Sequence, residues 1–136
     1  MKTIGIEINN DKAILFVLEK DGTTINEITG NFKQLKLDND KNNDEMRTFQ
    51  SVIFSHFDSI NPDRIAILTK QSRGKFASSS VSFKIEALIQ CYTKVNIEFV
   101  SPRTLDAYYK KNNFDVQISY NYQEKAAKLS KYLISN

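Results

Sequence analysis

The stretch Met1-Lys2-Thr3-Ile4-Gly5-Ile6-Glu7-Ile8-Asn9-Asn10 decides how this chain is read. Thr3 to Ile8 is β-branched or apolar at most positions, as in a strand buried on both faces, and a carboxylate sits near its end. Asn9-Asn10-Asp11 is turn chemistry, because these short side chains tolerate left-handed backbone and bond to it locally. Ala13 to Glu19 then predicts a second strand, and Lys20-Asp21-Gly22 a second tight turn. Thr23 to Leu37 alternates loosely and predicts a third strand, with Gly30 marking a bulge or bend. The opening is an antiparallel three-strand meander.

Outward from the meander the period changes. Asp38 to Asp44 is polar and contains no apolar residue, which predicts a loop. Met46, Phe49, Val52, Ile53, Phe57 and Ile60 recur at helical spacing, with Asn43 or Asp44 as the expected cap and Asn61-Pro62 as the stop. Arg64-Ile65-Ala66-Ile67-Leu68 suits a central parallel strand. A loop from Thr69 to Ser79 leads into a helix over about Ser80 to Tyr92, whose buried stripe is Val81, Ile85, Leu88, Ile89 and Tyr92. Val95 to Val100 is a fifth strand, and Pro102 opens a short helix that Asn112-Asn113 ends. A last helix runs over Asn121 to Leu133 with Ala126, Ala127 and Leu129 inward. The order predicts an α/β fold: a mixed five-stranded sheet, three antiparallel strands plus two parallel ones, flanked by helices.

Composition narrows the class. The 136 residues suffice for one core, so a single domain over residues 1–136 is expected. One cysteine cannot form an internal disulfide, and neither a basic leader nor a run of roughly 20 apolar residues occurs, so a cytoplasmic setting without membrane contact is expected. The net charge of +3 is too small to name a partner. His56 has no second histidine and lies in a helical stripe, which favours a structural role, and Cys91 is expected to be a small buried residue. No zinc set and no cysteine nucleophile is supported.

Three constellations remain. Glu7 stands where a two-metal phosphodiesterase keeps its central acid, since such enzymes hold two Mg²⁺ about 4 Å apart with carboxylates from separate strands and a late helix. Its partners are thin: Leu68-Thr69-Lys70 ends the fourth strand without an acid, and the last helix offers only Glu124, with Lys125 beside it and Lys128 a turn later. Glu7 and Glu124 are thus the candidate catalytic and metal-binding pair, with Mg or Mn as the ion, and the plainer role of each is an ion pair. Lys70-Gln71-Ser72-Arg73-Gly74-Lys75-Phe76-Ala77-Ser78-Ser79-Ser80 gathers three cations and a run of serines before a helix N-terminus. Lys70, Arg73, Lys75, Ser79 and Ser80 are the candidate phosphate contacts, set against a solvated loop whose serines cap the helix. Arg103, Tyr108, Tyr109, Lys110 and Lys111 extend a basic rim or, more plainly, cover the core.

Ile4-Gly5-Ile6-Glu7, Phe49-Gln50, Asp63-Arg64-Ile65-Ala66-Ile67, Gly74-Lys75-Phe76-Ala77, Val81 to Gln90, Ser101-Pro102 and Tyr122-Gln123-Glu124 together resemble a small bacterial family, domain of unknown function three-thousand-and-ten. The resemblance covers nearly the whole chain and implies a ribonuclease H or RuvC-like fold. It also implies acids at the positions of Thr69 and near Lys128, where this chain departs from the family. Three functions follow. The first is a nucleic-acid-associated domain, on DNA or RNA, with an incomplete acid set. The second is an active Mg- or Mn-dependent nuclease. The third is a protein-interaction module or homodimer that binds no nucleic acid.

Overall fold

The computed structural model describes residues 1–70 and 79–136. Strand β1 (Lys2–Asn9) pairs antiparallel with β2 (Lys12–Asp21) through the turn at Asn10, whose positive φ of 57° is the left-handed conformation asparagine accepts. β1 also pairs in parallel with β5 (Arg64–Leu68), which pairs in parallel with β6 (Ile97–Val100). The meander and the parallel strands therefore share one mixed sheet, in the order β3-β2-β1-β5-β6 with β3 at Thr24–Glu27.

The third strand differs from expectation. It is split into β3 (Thr24–Glu27) and β4 (Gln34–Lys36), both paired with β2, so the sheet has six strands among the described residues. The break lies at Gly30, where φ is +66°. Across the gap the buried Thr29 hydroxyl accepts from the Val17 amide at 3.0 Å, a side chain standing in for the backbone ladder. A loosely alternating sequence shows a bend but not that the chain leaves the sheet and returns.

Helix α1 (Asn43–Ile60) buries Phe49, Ile53 and Phe57. Two details correct the sequence reading. Asn42 is the cap, its Oδ1 accepting from the Asp44 and Glu45 amides, and Val52 is 37 % exposed at the margin of the stripe. Asn61 ends the helix in left-handed backbone, which asparagine tolerates, and Pro62 follows it. Helix α2 (Ser80–Gln90) stops one residue before Cys91, which caps it and is exposed, contrary to the expected burial. Both helices cover the face carrying Ile4, Ile6 and Ile8.

The opposite face carries Thr3, Gly5 and Glu7, because successive strand residues alternate. Helices α3 (Pro102–Lys111) and α4 (Glu124–Ser135) lie here, α4 packing over β1, β2 and β5, after a one-turn 3₁₀ helix at Asn121–Gln123. Gly5 permits this packing: a Cβ there would collide with the Ala126 carbonyl oxygen and the Ser130 amide nitrogen. Close approach then allows a buried clasp. Thr3 Oγ1 donates to the Ser130 carbonyl at 3.0 Å, and Ser130 Oγ donates back to the Thr3 carbonyl at 3.1 Å. Nearby, Arg64 spans Glu98 at 2.9 and 2.6 Å and the Leu133 carbonyl at 2.9 Å, joining β5, β6 and the end of α4.

Candidate functional site

With α4 antiparallel to β1 and held close by Gly5, the first turn of α4 comes down beside the last residues of β1. Glu7 is only 6 % exposed, and Lys125 Nζ lies 3.7 Å from its Oε2. Glu124 pairs with Lys128 one turn on, at 3.1 Å. Glu7, Asn9, Asn121, Tyr122, Glu124 and Lys125 line a concavity of roughly 210 Å³. The two carboxylates proposed from sequence thus share one hollow, although they lie 117 positions apart along the chain (124 minus 7).

Lys70, two residues beyond β5, belongs to the same electrostatic group. It is half-buried, and burial is the main reason its pKa falls below the usual lysine value; Glu7 opposes that shift and Lys125 adds to it. Thr69, where an acid was expected, is half-buried and donates its backbone amide to the Val100 carbonyl at 2.9 Å. Glu7 thus meets two lysines, Lys125 and Lys70, while Glu124 pairs with Lys128, and Asp106 lines the adjoining hollow with Glu124, Lys125 and Lys128.

This donor set does not fit a two-metal centre. Such a centre needs carboxylates converging on shared ions, whereas here each acid meets a lysine, and an ammonium at the acid repels an arriving cation. Among the described residues no three His, Cys, Asp or Glu side chains are grouped to hold a metal.

The remaining sequence candidates divide. Arg73 and Lys75 lie outside the described residues. Ser79 caps α2, its Oγ accepting from the Ser82 amide at 3.3 Å, while Ser82 Oγ donates to the Asn10 carbonyl at 2.7 Å. That second bond brings the start of α2 to the Glu7 end of the sheet, but it leaves the Ser79 hydroxyl committed to the cap. Ser80 is exposed on the first turn. Tyr109 is spent on structure: its hydroxyl donates to the Lys128 carbonyl at 2.7 Å, and its ring meets Tyr108 and Phe114 edge-on. His56 stacks on Phe32 at 4.1 Å, the structural role its isolation predicted.

Sequence reasoning missed Asn9, Asn121 and Tyr122, and saw Lys125 only as an obstacle to metal binding. The usable signal was spacing: Tyr122 and Lys125 are three apart at a helix start and so face the same way.

The chain belongs to the family described as "Protein of unknown function (DUF3010)", whose model matches residues 1–132. No match was found among curated proteins. Solved structures share its fold at low identity. Thermus thermophilus RuvC in complex with a Holliday junction substrate matches with a TM-score of 0.72 at 8 % identity, over 96 % of this chain and 90 % of that one. The fowlpox virus resolvase bound to Holliday junction DNA matches with a TM-score of 0.54 at 15 % identity, over 99 % and 97 %. The yeast mitochondrial Holliday junction resolvase Ydc2 gives 0.52 at 12 % identity, over 79 % and 55 %. These likenesses establish a RuvC-like, ribonuclease H-type fold.

Proposed function

From that membership and that fold, we propose that the chain is a nucleic-acid-binding domain that holds the phosphate backbone with lysines and does not depend on a metal. One observation carries this reading: at the sheet end where Glu7 stands, Lys125 and Lys70 neutralise the acid and leave positive charge in surplus. Phosphate oxygens suit such a place, because an ammonium contributes up to three donors and full charge. The neighbours of similar fold that were solved on junction DNA support DNA as the first ligand to try, with RNA beside it. Arg73 and Lys75 enter this reading on their sequence position alone, as does Ser80.

A second reading rests on Glu7 and Glu124 sharing one hollow: a Mg- or Mn-dependent nuclease with those two acids as its catalytic and metal-binding residues. One experiment separates the two. Fluorescence anisotropy of labelled single-stranded, duplex and branched DNA and RNA is followed at low and physiological salt, with cleavage in Mn²⁺ scored on the same probes. The lysine reading expects saturable binding that weakens with salt, is lowered by Lys125→Ala and Lys70→Ala, and survives Glu7→Gln. Products that need Mn²⁺ and vanish in Glu7→Gln would replace it with the nuclease reading. No binding at low salt would remove both and leave a protein-interaction module or homodimer.

A further inference from the structure

Six tyrosines occur in the chain, and they are used in two ways. Tyr92 donates its hydroxyl to Asp58 at 2.7 Å and Tyr109 to the Lys128 carbonyl at 2.7 Å, while Tyr108 and Tyr132 meet edge-on at 5.2 Å. Tyr120 and Tyr122 face outward instead. They are 55 % and 37 % exposed, and their rings stack at 5.6 Å with an interplanar angle of only 27°. Two large rings at the surface forgo burial that the core would reward, so their placement calls for a reason.

Their mount is rigid. Gln123, next in the chain, is fully buried; its side-chain Oε1 accepts from the Tyr120 backbone amide at 3.1 Å, and its backbone amide donates to the Tyr120 carbonyl at 3.0 Å. Neither bond involves a ring, so these bonds fix the backbone and leave the stacked ring pair partly exposed to solvent. Their position is equally specific. Tyr122 lines the hollow with Glu7 and Lys125, and the Lys125 side chain is 67 % exposed.

We infer that Tyr120 and Tyr122 form a stacking platform for unpaired bases beside the lysine-lined hollow. A nucleobase is flat and polarisable, and a ring pair presented nearly parallel offers it a face that any base can use. The backbone of the same strand then passes Lys125, which supplies the charge complementarity that a purely apolar partner would not need. Bases inside a duplex already stack on each other, so the platform selects single-stranded or locally unpaired nucleic acid. This inference rests on the proposed nucleic-acid binding and adds which form is bound.

The test is anisotropy with a labelled deoxythymidine oligomer, its abasic counterpart, and a duplex. The wild type is compared with Tyr120→Ala/Tyr122→Ala and Tyr120→Phe/Tyr122→Phe, and circular dichroism melts confirm that each variant folds. The expected result is about a tenfold or larger loss of oligomer affinity in the alanine pair, near-wild-type affinity in the phenylalanine pair, and little change on duplex or abasic strand. Wild-type binding to the oligomer with no loss in the alanine pair would overturn the platform alone. Equal loss on all three probes would also overturn it, because base stacking would not be the cause. No binding by the wild type to any probe would defeat the nucleic-acid reading itself.

Discussion

The seam between α4 and β1 is built in opposite ways at its two ends. Around Thr3 every polar group finds a partner inside the protein: two hydroxyls exchange hydrogen bonds with each other's carbonyls, and Arg64 divides its donors between Glu98 and Leu133. Around Glu7 the contacts are long and open, with Lys125 at 3.7 Å and largely in solvent, and Asn9 and Asn121 exposed. Satisfied groups hold structure, whereas groups left facing water are available to a ligand. One strand and one helix thus form a fastening at one end and a solvent-facing hollow at the other.

The largest effect that would test this division is at Gly5. Gly5→Val drives a side chain into the α4 backbone and is expected to cost about 3 kcal/mol or more, read as a lower urea midpoint. An unchanged midpoint would mean that α4 is not seated as described. Next is the fastening itself. Thr3→Val removes the buried donor to the Ser130 carbonyl and the hydroxyl beside Ser130 Oγ, while the Ser130 hydroxyl keeps the backbone carbonyl of residue 3, and is expected to cost about 2 kcal/mol. Adding Ser130→Ala should return part of that loss, and strictly additive losses would deny the coupling. At the open end Lys125→Ala is expected to change stability by less than about 1 kcal/mol, because its partnership is mostly solvated. A loss as large as that of Thr3→Val would erase the contrast between the two ends.

The smallest effect lies on the other face. Burial holds the His56 pKa below its ordinary value of 6.5, and its Nε2 is buried without a hydrogen-bond partner among the described residues. The unfolded chain therefore takes up the proton first, so stability should fall as pH drops through about 6.5 and level off below the folded-state value. His56→Leu should flatten the dependence of melting temperature on pH in that window. If the dependence persists, the acid-sensitive group lies elsewhere.

Elements with a strong local period were legible in the sequence. The β-branched and apolar run of β1, the 3.6-residue stripe of α1 and the apolar run of β5 each follow from a few consecutive residues. Glu7 was legible as a singular acid for the same reason. What surrounds it was not, because Lys125 reaches Glu7 only after α4 docks on Gly5, and that docking depends on residues more than a hundred positions away. Tyr120 and Tyr122 failed for a related reason: nothing in Tyr120-Asn121-Tyr122 says which way the rings face until Gln123 is buried. The choice of Asn42 over Asn43 as the cap, and the exposure of Cys91, turn on one-residue differences at helix ends.

The hydroxyl of Thr29, standing in for a missing backbone partner, also bears on how the molecule behaves in company. A long, regular outer strand is a template on which another chain can add itself. Here that flank is divided into stretches of four and three residues, and the opposite flank, β6, has four. Neither side offers a continuous row of free amides and carbonyls. The interruption at Gly30 thus works as a guard against growth of the sheet from molecule to molecule.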